Sequence, residues 1–147
     1  MAEEPVQVGF KVRPGGRRGK HYYQVVIYRT KPEMHEAYRE WERAEGNGRS
    51  AFRVADYDAI TNYAEPNERW QDANRCGFLR FRIGALSSDL VAHEMYHAAR
   101  YWNWYDKGVR SHPDKPWTEE RMAYAIGHLV AQFWAGLERL RKTGHIK

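Results

Sequence analysis

The sequence predicts an α+β fold: a small N-terminal β-sheet with one helix, followed by two packed C-terminal helices. Runs of Val, Ile and Tyr with two-residue alternation concentrate before residue 85, whereas apolar residues at three- and four-residue spacing dominate after residue 86. Clusters of Gly, Pro and Asn separate the segments. At 147 residues the chain fits a single domain, 1–147, with a sheet-rich part over about 1–85 and the helical part over about 86–142.

"VQVGFKV" (6–12) and "HYYQVVIYR" (21–29) flank Pro14-Gly15-Gly16, which predicts a β-hairpin or two neighbouring strands. In "TKPEMHEAYREWERAEG", Thr30 is placed to cap a helix and Pro32 sits in its first turn. Met34, Tyr38 and Trp41 lie at helical spacing and Gly46 ends the segment. Alternation over 50–63 and 77–83 suits two half-buried strands, giving a sheet of three or four. Ser87, Ser88 or Asp89 can cap a helix running to about Asp106. A turn-rich loop then covers Gly108 to Pro116, and Thr118 can cap a last helix to about Lys142.

The composition, 42% apolar and 29% charged with ten Tyr, six Trp and five Phe, excludes a disordered chain. One cysteine, Cys76, excludes an internal disulfide and any multi-cysteine metal site, so a metal must be held by His and carboxylate. "MAEEPVQVGF" has neither a basic start nor a long apolar stretch, and no run elsewhere approaches the roughly 18 apolar residues of a membrane span. The expectation is a cytoplasmic protein with no membrane partner. Formal net charge is +5, densest in "KVRPGGRRGK" (Lys11 to Lys20), where a solvated turn and a nucleic-acid contact are both open readings.

The chemistry concentrates in "VAHEMYHAARYW", where His93-Glu94-Met95-Tyr96-His97 forms H-E-x-x-H. Residues four apart on an α-helix lie about 40° from each other around its axis, so the two imidazoles can reach one ion. Glu94 is then placed to take a proton from a water on a zinc ion, whose pKa such a metal lowers to roughly 7. The competing reading is a pair of ordinary helix histidines.

A catalytic zinc needs a third protein ligand. The metzincin pattern H-E-x-x-H-x-x-G-x-x-H is excluded by Arg100 and Asn103. In the last helix, Met122, Ile126, Leu129, Val130, Phe133, Leu137 and Leu140 form one apolar stripe. Glu120 falls with Ala123, Gly127, Ala131 and Trp134 on a mainly small-residue flank, expected to receive the histidine-bearing helix and to aim Glu120 at the pair. Glu119 is the neighbouring competitor. Both also suit the first turn of a helix simply through its dipole.

The segment Glu119-Glu120-Arg121-Met122-Ala123-Tyr124-Ala125-Ile126-Gly127-His128-Leu129 after H-E-x-x-H resembles the small gluzincin-type metallopeptidase-like proteins of phages and prophages. The resemblance covers about residues 86 to 140. It implies a zincin-like site with His93, His97 and Glu120 as Zn²⁺ ligands and Glu94 as general base and acid, in a host cytoplasm. A second resemblance, in "HEMYHAARYW" with "SHPDKPW", is to SprT-like, DNA-associated zinc proteases and implies His112 as the third ligand.

The leading expectation is a zinc metallopeptidase acting on a peptide or protein substrate, with Tyr124 or His112 stabilising the oxyanion. A hydrolase of another amide fits the same residues. One alternative is an inactive zincin-fold binding protein, a phage factor acting on a host system through aromatics such as Trp102, Trp104, Tyr105 and Trp117. Nucleic-acid binding through Arg17-Arg18-Gly19-Lys20 is the other.

Overall fold

The computed structural model describes residues 8–44, 57–63, 74–107 and 116–146. Strands β1 (Val8–Val12) and β2 (Tyr22–Tyr28) pair antiparallel, with Val8 opposite Ile27 and Val12 opposite Tyr23. The Pro-Gly-Gly signal lies in the turn that joins them. Gly16 donates its N–H to the Arg13 carbonyl at 3.1 Å and adopts φ +90°, a conformation that residues with a Cβ rarely take.

Helix α1 (Lys31–Ala44) starts directly after Thr30, whose Oγ1 accepts the Glu33 N–H at 3.3 Å, so the expected cap is in place. Strand β3 (Ala59–Tyr63) and strand β4 (Arg75–Arg82) follow. Of the alternating stretch 50–63, residues 50–56 lie outside the described residues. β4 begins at Arg75 rather than 77, because Arg75 pairs with Tyr22 across an irregularity in the register next to Tyr23. A 3-10 turn, Ile83–Ala85, leads to helix α2 (Ser88–Lys107). Ser87 caps it, accepting the Leu90 N–H on Oγ at 3.1 Å.

Helix α3 (Pro116–Lys142) begins two residues before the predicted Thr118 cap, with proline as its first helical residue. The missing proline N–H costs nothing there, since the first turn's donors have no intrahelical partner. At the other end Gly144, φ +76°, donates to Arg141 at 3.1 Å and His145 donates to Leu140 at 2.9 Å. That paired closure satisfies carbonyls the helix would leave open.

The sheet order is β1-β2-β4-β3, with β2 and β4 parallel and both edge pairs antiparallel. A parallel neighbour requires a crossover, and α1 lies in the chain between β2 and β4. α1 covers one face of the sheet through Met34 and Tyr38 against Val26, Tyr28 and Ile60. α2 and α3 cover the other, over Tyr23, Val25, Ile27, Leu79 and Phe81. Burial on both faces explains why "YYQVVIY" is almost continuously apolar instead of alternating. The fold is therefore α+β, with two C-terminal helices packed together, and among the described residues no helix is long and apolar enough to cross a membrane.

Burial shows which side of α3 faces the core. Ala125, Leu129, Phe133 and Leu137 join Val91, Met95, Ala98 and Ala99 of α2 in one core, so the apolar stripe itself meets α2. The expectation that the small-residue flank receives α2 is corrected: Ala123, Gly127 and Ala131 are exposed, and a Cβ on Gly127 would meet nothing within 4 Å. Ala98 and Ala99 are the small residues that α2 contributes to this core. The glycine of α3 that packing does require is Gly136, where a Cβ would overlap the Phe10 ring of β1.

Two substitutions of identical chemistry should therefore act in opposite directions. Gly127→Ala should raise unfolding stability by about 0.5–1 kcal/mol, the usual gain of alanine over glycine inside an open helix. Gly136→Ala should lower it by about 1–3 kcal/mol through overpacking. Urea denaturation of both variants checks this, and equal effects would contradict the orientation of α3.

Candidate metal centre

Helical geometry places His93 and His97 one turn apart on the side of α2 turned away from the sheet. Met95, fully buried, faces the core, and a step of two residues either way carries a side chain about 160° round the axis. His93 is exposed and His97 half-buried. Their Nε2 atoms stand 3.1 Å apart, within hydrogen-bond distance of each other when one carries a proton, and the rings meet edge-on, centroids 4.8 Å apart at 79°. Two imidazole nitrogens on a tetrahedral zinc, each about 2.0–2.1 Å from the metal, are separated by about 3.3 Å. The pair is set at nearly that bite.

Glu94 is 6% exposed, on the flank of α2 toward β3. Alternation along β3 decides its partner. Ala59 packs in the α2 and α3 core while Ile60 packs under α1, so Thr61 returns to the α2 side, opposite Leu79 of β4. There Thr61 donates its hydroxyl hydrogen to Oε2 of Glu94. A buried carboxylate needs such a donor, and this one also fixes the direction of the other oxygen.

The strand is held at its start and from beneath. Asp58, just before β3, accepts from Arg82 of β4 at 3.0 Å and lies 3.7 Å from Lys31. The Arg82 hydrogen bond, helped by both positive charges, holds its carboxyl below the usual carboxylate range. On the α1 side, Arg80 donates to Asn62 at 3.1 Å and to the Tyr28 hydroxyl at 2.6 Å. Burial raises the Tyr28 phenol above its ordinary value against the opposing pull of Arg80.

Structure and sequence part company at the third ligand. Glu120 is nine residues from the buried Leu129, hence about 180° round α3, and it is exposed. It lines a shallow surface with Ala123, Tyr124, Gly127 and His128, none of them on α2. Tyr124, the expected oxyanion donor, is 67% exposed on that same surface. Glu120 and Tyr124 are thus brought together with each other but not with the histidine pair, because the stripe side of α3, not its flank, meets α2. Glu119 is also exposed. Among the described residues no group of three His, Cys, Asp or Glu is placed to hold an ion, and His112 lies outside those residues.

Trp102 is likewise corrected from a surface anchor to a buried one. It is 7% exposed, donates from Nε1 to His21 Nδ1 at 3.2 Å, and carries the Arg121 guanidinium 4.0 Å from its ring centre. The side chains of Trp104, Tyr105 and Trp117 lie outside the described residues. Two residues near the pair escaped the sequence reading. Thr61 gives no local signal, since its partner is 33 positions away. Tyr96, 46% exposed with its ring 6.1 Å from that of His97, lies inside the motif at a position that it leaves free.

The sequence matches no family model, and neither the curated proteins nor the solved structures provide a match. The geometry of the Glu94 contact can be tested alone. Thr61→Val keeps the shape and removes the donor, so it should cost about 1–3 kcal/mol of stability at neutral pH, whereas Thr61→Ser should cost less. Denaturant midpoints measure both; a neutral Thr61→Val would contradict the bond.

Proposed function

We propose that the chain is a zinc-dependent peptidase, with His93 and His97 as two of the metal ligands and Glu94 as general base and acid. The observation that supports the reading best is the 3.1 Å approach of the two Nε2 atoms beside a carboxylate fixed by Thr61. Zinc bound there would supply Lewis acidity and make water acidic enough to lose a proton near neutral pH.

The chain's own residues then have defined work. Thr61 occupies one oxygen of Glu94, leaving the other to accept a proton from the attacking water and to deliver it to the departing amine nitrogen. The exposure of His93 leaves the site open to a peptide from solvent. With Glu119 and Glu120 exposed on α3, the third ligand is proposed to be His112. A bound metal needs such a donor, and the two histidines alone leave two tetrahedral positions to fill.

The test is zinc per chain by elemental analysis on untagged protein, with turnover of a broad peptide pool. Wild type should hold about one zinc, lost in His93→Ala and His97→Ala. Glu94→Gln should retain it while turnover falls by about 10²–10⁴-fold. Single alanine variants at His112, Glu119 and Glu120 identify the third ligand by loss of metal. Zinc retained in both histidine variants would overturn the reading, and full activity in Glu94→Gln would remove Glu94 from the reaction.

A further inference from the structure

On the far edge of the sheet from β3, strand β1, the turn after it and helix α3 enclose a groove of about 450 Å³. Lys11, Arg13, Arg17 and Arg139 line it with His128 and Gln132, and no carboxylate is among its lining residues. The nearest acid in sequence, Glu138, is drawn instead to Lys142 at 3.8 Å. Among the described residues no ion pair joins any of the four cations to an acid.

The groove is built, not a chance meeting of long side chains. Gln132 clamps the backbone of Arg13 from both sides, accepting its N–H at 2.7 Å and donating to its carbonyl at 3.0 Å. The Arg13 guanidinium is pinned by the carbonyls of Gly19 at 3.0 Å and Lys20 at 3.3 Å. Lys11 rests its ammonium 4.4 Å from the centre of the Tyr22 ring. The His128 ring lies against the Gly16 turn, 3.6 Å from where a Cβ would stand. Held charges lose less entropy on meeting a ligand than free ones do.

Length and lining decide what the groove fits. From His128 to Arg139 the helix rises about 16 Å, and the floor between them is Ala131 and Ala135. One phosphate is far shorter than that, whereas a nucleic-acid strand presents a phosphate about every 3.4 Å of duplex axis. The floor is alanine, the lining residues include no Phe, Tyr or Trp ring on which a base could stack, and they offer few groups to read its edge. We propose that this groove binds the phosphodiester backbone of a nucleic acid, without sequence preference, independently of the histidine pair.

The experiment is fluorescence anisotropy of a labelled mixed-sequence 20-nucleotide DNA, single-stranded and as duplex, titrated with the full chain over a range of KCl concentrations. Contact with about four phosphates predicts a slope of log affinity against log salt of about −3 for the single strand. Arg17→Ala and Arg139→Ala, both exposed positions, should each reduce that slope by about one. Arg43→Ala on α1, whose side chain pairs with Glu36 at 3.1 Å, should leave it unchanged. Circular dichroism of each variant confirms its fold. No saturable binding at low salt, an unchanged slope in both groove variants, or equal competition by poly-glutamate at matched charge would each overturn the proposal.

Discussion

The hydroxyl of Thr61 and the carboxylate of Glu94 meet where the edge strand of the sheet touches the helix that carries the histidines. The position of that contact follows from sheet register. β3 pairs with β4 so that Thr61 stands opposite Leu79, and a slip of one residue would turn Ile60 toward α2 and Thr61 toward α1. Glu94 would then be buried with no donor from β3. Asp58 with Arg82 and Lys31, and Asn62 with Arg80, hold the strand in register from its start and from its other face. The environment of Glu94 is thus a consequence of strand pairing more than of the helix alone.

The elements that local chemistry determines were the ones readable in the sequence. Thr30 and Ser87 act as caps, the Pro-Gly-Gly turn sits at its predicted place, and the periodic runs became the expected helices. The i, i+4 spacing of His93 and His97 was enough to predict that they converge, because the helix fixes their relative direction to within one turn. Helix α3 starts two residues before the expected Thr118 cap because proline at the first helical position competes with threonine as a signal.

Relations between helices were not readable in the same way. Small residues on α3 suggested a close neighbour at Gly127, yet α2 approaches the apolar stripe and brings its own alanines, Ala98 and Ala99. A helical wheel ranks faces by polarity, but it does not say which of two adjoining faces a partner takes. Glu120 was assigned from those faces and Tyr124 as an oxyanion donor one turn beyond it, and both stand on the solvent side. Thr61 was missed for a related reason, since contacts across 33 positions depend on topology that no local pattern encodes.

The histidine pair and the basic groove occupy different parts of the helical layer: the pair lies on α2, which is tied to β3, while the groove lies between α3 and β1, at the opposite edge of the sheet. The central claim concerns the first of these, and X-ray absorption at the zinc edge of the stoichiometrically loaded protein tests it most directly. The account predicts about two imidazole nitrogens at about 2.0–2.1 Å with oxygen or nitrogen completing the shell, and loss of imidazole scattering in the His93→Ala, His97→Ala double variant. A shell without imidazole, or one unaltered in that variant, would contradict it.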